Sequence, residues 1–83
     1  DALAWALHVN GKDTQALSYA RQATATGYHN ALFLYHRGMI ERATGHREDA
    51  RASLKAALEL NPGFSPLGAR EARAAIKNLE AAQ

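Results

Sequence analysis

The side chains of this chain that are able to do chemistry are few, and their spacing does not make them converge. The histidines are His8, His29, His36 and His46. A zinc-type site presents its ligands together, as two His at i and i+4 around a Glu, and no His here has such a neighbour. His29 and His46 fall between helical segments, where a polar side chain needs no further reason. His8 and His36 sit on helices able to approach each other, yet a third ligand is missing, so no metal is expected. The lack of Cys excludes thiolate ligands, disulfides and a cysteine nucleophile. Ser18 and Ser53 lie within helical stretches and Ser65 at a helix start, with no G-x-S-x-G turn to present a hydroxyl. Glu41 and Glu48 stand at i+4 and i−3 from Arg37 and Arg51, the spacing of solvated ion pairs on a helix. The glycines are scattered as helix stops and build no phosphate loop. These residues predict neither an enzyme nor a cofactor.

The cations are arranged in two helical stripes, Arg47, Arg51 and Lys55, and Arg70, Arg73 and Lys77. Neither stripe has aromatics between its charges for base stacking, and the formal net charge is only +2. Both are therefore expected to be solvated outer faces whose alkyl stems snorkel along the helix, and nucleic acid is not an expected partner. Every apolar run is short and broken by His or Arg, so no membrane insertion is expected. The chain starts without Met and without a basic-then-apolar leader, which suggests a segment of a longer protein. Its lack of Cys is compatible with a soluble protein of a reducing compartment such as the cytoplasm.

The elements that must position these groups are helices. Gly, Pro and Asn interrupt the sequence at regular intervals, and no stretch alternates as a strand does. The first helix is already under way at Asp1, carries Leu3, Ala4, Ala6 and Leu7, and stops at Gly11. Asp13 is the expected cap of the second, which places Ala16, Leu17, Ala20 and Ala23 on one face, runs to about Thr26 and stops at Gly27. Asn30 is positioned to cap a third helix running to Thr44, stopped by Gly45. The fourth spans about Arg47 to Leu60, before Asn61-Pro62, and Ser65-Pro66 opens a fifth with Ala72, Ala75, Ile76 and Leu79 as its apolar stripe.

A shift of 34 residues brings Gly11 onto Gly45, Ala16 onto Ala50, Ala23 onto Ala57 and Ala4 onto Gly38. A helix–turn–helix period of this length with small residues at fixed points resembles the tetratricopeptide repeat (TPR). The likeness is fullest over Ala31 to Pro62, with Leu34, Gly38, Gly45, Ala50, Leu54, Ala57 and Pro62 at the family spacing. The preceding unit is truncated at its start and has Tyr28 where the family has proline. Arg37 and Glu41 depart from the pattern, at positions usually apolar and aromatic, close to a helix–helix seam.

The resemblance implies an all-α solenoid of right-handed superhelical sense, with one unit at 1–29, a second at 30–63 and a capping helix at 64–83, the last also readable as the first helix of a third unit. It implies that Ala50 rests on the first helix of its own unit and Ala57 on the neighbouring unit. It also implies a concave groove that binds a peptide or partner helix, lined by Trp5, His8, Val9, Leu32, Tyr35, His36, Met39 and Arg42. The family's carboxylate clamp for chaperone tails, built from Lys, Asn and Arg, is not met at those positions. A protein or peptide partner is thus expected, with self-association as a homodimer through the open N-terminal end. The alternative is a purely structural end to a longer solenoid.

Overall fold

The computed structural model describes residues 2–25 and 30–81, and these form five helices. They are α1 (Ala2–Val9), α2 (Asp13–Thr24), α3 (Ala31–Ala43), α4 (Arg47–Leu60) and α5 (Pro66–Ala81). The stops expected at Gly27, and the roles of Tyr28 and His29, lie outside the described residues. Each helix packs on the next, and α3 also touches α1 and α5. The result is two antiparallel hairpins, α1–α2 and α3–α4, with α5 laid on the second.

The 34-residue shift recurs in the backbone. Lys12 N–H donates to Leu7 C=O at 2.8 Å, and His46 N–H donates to Glu41 C=O at 2.8 Å. Gly11 and Gly45, with φ of 77° and 85°, occupy the left-handed conformation that lets each helix end in this Schellman-type wrap. The next helix then starts the same way twice, with Ala16 N–H on Lys12 C=O and Ala50 N–H on His46 C=O.

The caps differ from one expectation. Asp13 is the first residue of α2 rather than its cap, and Lys12 occupies the cap position with no side-chain bond. The Asp13 carboxylate is turned back to His8 Nδ1, 2.5 Å away, while its charge still sits at the positive end of α2. Asn30 does cap α3, its Oδ1 accepting from Leu32 and Phe33 N–H, and Ser65 Oγ accepts from Gly68 N–H at the start of α5.

Two apolar clusters hold the helices together. Ala4, Ala16, Leu17 and Ala20 close the first hairpin around Ile40, which α3 inserts into it. Ala31, Tyr35, Ala50, Leu54, Ala57, Ala72, Ala75 and Leu79 join α3, α4 and α5. Ala50 and Ala57 are wholly inaccessible, as small residues at a close helix crossing should be. Gly38 shows how close the crossing is: a Cβ there would lie 2.7 Å from Leu54 Cγ and 3.2 Å from the Leu54 backbone N.

Glu41, expected in a solvated pair, is instead fully buried. Its carboxylate accepts from Ser53 Oγ at 2.5 Å and Arg37 Nε at 3.2 Å, with Arg21 Nη2 at 3.7 Å. Arg37 also donates to Thr24 Oγ1 at 2.8 Å, and Arg21 reaches Asp49. Side chains of α2, α3 and α4 thus meet around one carboxylate, which is how a buried charge is made tolerable. The first cationic stripe is likewise not a free outer face. Arg51 and Lys55 both hold Glu80 of α5, at 3.1 and 3.0 Å, and Arg51 makes no bond to Glu48. Those contacts clamp α5 to α4.

Candidate protein-binding face

Helices α1, α3 and α5 present one continuous side of the molecule. Tyr35 Oη donates to Glu71 Oε2 at 2.7 Å, and Arg42 Nη2 reaches Asn78 Oδ1 at 3.5 Å, both across 36 residues. Equal offsets at two levels mean that α3 and α5 run parallel.

On the other flank, Trp5 of α1 stacks on His36 of α3, with ring centroids 4.1 Å apart and planes 19° from parallel. Trp5 also lies near His8 and Tyr35, and Tyr35 continues to Phe64 at 5.4 Å. Tyr35 and His36 are buried at 5% and 9% exposure, so they belong to the packing beneath this side rather than to its surface. Burial, with the charge of His8 adding to it, pushes the His36 imidazole down to about 4. Burial and the Glu71 carboxylate push the Tyr35 phenol well above its ordinary value.

What is open to solvent lies further along α3. His8, Met39, Arg42 and Ala43 line one open depression of about 380 Å³. Met39 and Arg42 also line its neighbour of about 320 Å³, together with Glu71, Ala74, Ala75 and Asn78. A larger hollow of about 520 Å³ follows α2, but Thr14 through Ala25 supply its whole lining, so it is the flank of one helix and not a space between elements.

Of the eight residues expected in the groove, the structure therefore brings His8, Met39 and Arg42 to the same hollow surface. Trp5 is half-buried at its edge. Leu32 is 40% exposed but lies at the other end of α3, in a hollow shared with Asn30, Leu60, Asn61 and Phe64. Val9 is 68% exposed at the end of α1 and lines none of these depressions. Glu71, Ala74 and Asn78 are the residues that sequence reasoning missed. Their signal lies in the register, since Glu71 and Asn78 stand 36 residues after Tyr35 and Arg42.

Residues 31–64 match the family model of the tetratricopeptide repeat. This chain carries a TPR. No curated protein and no solved structure matches the chain. TPRs mediate protein–protein interaction and are typically non-enzymatic scaffolds, and the TPR here supplies α3, α4 and the turn that leads to α5. Among the described residues, no group of three His, Cys, Asp or Glu could hold a metal ion, and no helix is long and apolar enough to cross a membrane.

Proposed function

We propose that this chain is a non-catalytic interaction module that binds a peptide or partner helix on the side formed by α1, α3 and α5. One observation carries the proposal: two adjoining depressions share Met39 and Arg42 and join all three helices into one hollow strip. Methionine adapts its shape to an apolar side chain, and arginine at a partly apolar surface is a frequent binding anchor. Residues 2–25 form the preceding, truncated unit in this proposal, supported by the turn that repeats at a 34-residue shift.

A library of random twelve-residue peptides, displayed and selected on the immobilised chain, tests the site. Selected peptides should lose binding to Met39→Glu while that variant melts at the temperature of the parent. Peptides indifferent to Met39 would move the site elsewhere.

The structural alternative has its own support in α5. This helix ties Glu80 to α4 and leaves Arg70, Arg73 and Lys77 exposed, a face that a further hairpin could bury only by pairing these cations. Closing the array and binding a partner are compatible. Self-association through the α1 end also remains a proposal, with Leu3 and Val9, 52% and 68% exposed, as its apolar surface. Light scattering across a concentration series checks it: a monomer throughout rejects it.

A further inference from the structure

Resting on the groove reading above, we infer that the strip selects a partner helix by charge order: a basic and an acidic residue seven positions apart, with an apolar residue between them. The inference begins from two charges at fixed points of the strip. Arg42 bonds Asn78 only at 3.5 Å and, among the described residues, pairs with no carboxylate, although it borders both depressions. His8, also cationic when protonated, borders the first depression beside it. Glu71 lies at the opposite end of the second depression, where the Tyr35 hydroxyl holds one of its two oxygens and leaves the other for a ligand. Met39 lies between them.

The spacing follows from the helix. Glu71 is fixed opposite Tyr35, and Arg42 is two turns further along α3, roughly 10 Å at 1.5 Å per residue. Met39 stands about 6 Å from the Tyr35 level and about 4 Å from Arg42 on the same scale. A partner helix laid along α3 advances the same 1.5 Å per residue, so its positions i, i+4 and i+7, which share one face, stand at the levels of Glu71, Met39 and Arg42. A basic residue then faces Glu71, an apolar one Met39 and an acidic one Arg42. A wholly acidic peptide would set one charge against Glu71, and a wholly basic one would set one against Arg42. Like charges at close range are what exclude a wrong partner.

The displayed twelve-residue library decides this when selected in parallel on the parent and on Arg42→Glu. The parent should enrich peptides with base and acid seven apart around an apolar residue, and Arg42→Glu should weaken those peptides about three- to tenfold. Arg42→Glu should itself enrich peptides with two bases at that spacing. Peptides that need Met39 but show no charge order, or that ignore Arg42→Glu, overturn the inference and leave the groove standing. Selected peptides that all ignore Met39→Glu overturn the groove and the inference together.

Discussion

The molecule has two seams built on opposite principles. Within the second hairpin, α3 meets α4 through Gly38 and Leu54 with Ala50 in the same cluster, all of them buried. Size decides that crossing, because the helices come so near that a methyl group on residue 38 has no room. One polar bond, Ser53 Oγ to Glu41, joins the same two helices. Between the hairpins, Glu41 lies in a polar knot of Arg37, Arg21 and Ser53, with Ile40 as the apolar plug beside it. Shape fits many registers poorly and one well, whereas a buried carboxylate admits only the register in which its donors are present. The hairpin is thus closed largely by steric fit, while Arg21 and Thr24 of α2 tie the first hairpin to the charged pair Glu41 and Arg37 of the second.

The largest effect should come from breaking the charged seam. Arg37→Met removes the closest cation from a carboxylate with no access to water, leaving Ser53 and a longer approach from Arg21. A loss of about 3 kcal/mol or more is expected in urea melts. A chain of this length has a total of about 4–12 kcal/mol. Adding Glu41→Leu to Arg37→Met should recover most of the loss. If the double variant stays as weak as the single one, the seam is held by packing and the contrast between the seams disappears.

Acid attacks the same junction. His36 is neutral in the folded chain, its imidazole held down to about 4, whereas in the unfolded chain it takes a proton near 6.5. Above pH 6.5 both states leave it neutral and its contribution is complete. As pH falls from 6.5 to 4 the unfolded chain gains the proton first, and up to about 3 kcal/mol is lost, with no further loss from this group below 4. Facing it are Trp5 and His8 from α1, with His8 paired to Asp13, and Tyr35 beside it. Urea melts from pH 7.5 to 4 should show this slope, and His36→Phe, which keeps a ring on Trp5, should flatten it.

The two seams also differ in how far the sequence revealed them. Gly38 and Ala50 announced the steric seam because a close crossing leaves its mark as residue size at fixed spacing. Positions Arg37 and Glu41 were visible as departures from the repeat, but the donors that satisfy Glu41 come from three helices, and no local pattern links Arg21, Arg37 and Ser53. For the same reason Arg51 and Lys55 passed for solvent-facing charges, since their partner Glu80 is on α5. On the candidate face, the resemblance assigned Met39, Arg42, Tyr35 and His36 to one groove, but it could not tell that Tyr35 and His36 are buried. Only the distance to α1 and α5 decides that.

A smaller loss should follow from pressing on the steric seam. Gly38→Ala gains roughly 1 kcal/mol of helix propensity, since glycine is the poorer helix former. The new methyl, however, would stand 2.7 and 2.8 Å from Leu54 Cγ and Cδ2. Moving Leu54 strains a side chain with no exposed surface, so a net loss of about 1–2 kcal/mol is expected. A variant as stable as the parent would show that the seam opens easily and that size does not set it.

The smallest effect separates the turns inside a hairpin from the entry to the next one. The turns that lead into α2 and α4 have no side-chain cap, because Lys12 and His46 contribute none, and depend on a left-handed glycine with the wrapped backbone bond behind it. At the entry to α3 a side chain does the capping instead, and Asn30 supplies the acceptor for two otherwise unpartnered N–H groups. Asn30→Ala should therefore cost about 1 kcal/mol, while Lys12→Ala and His46→Ala should change the melting midpoint little. Equal losses at all three positions would mean that the hairpin turns need their side chains as much as the junction does, and that the backbone repeat at 34 residues is not what holds them.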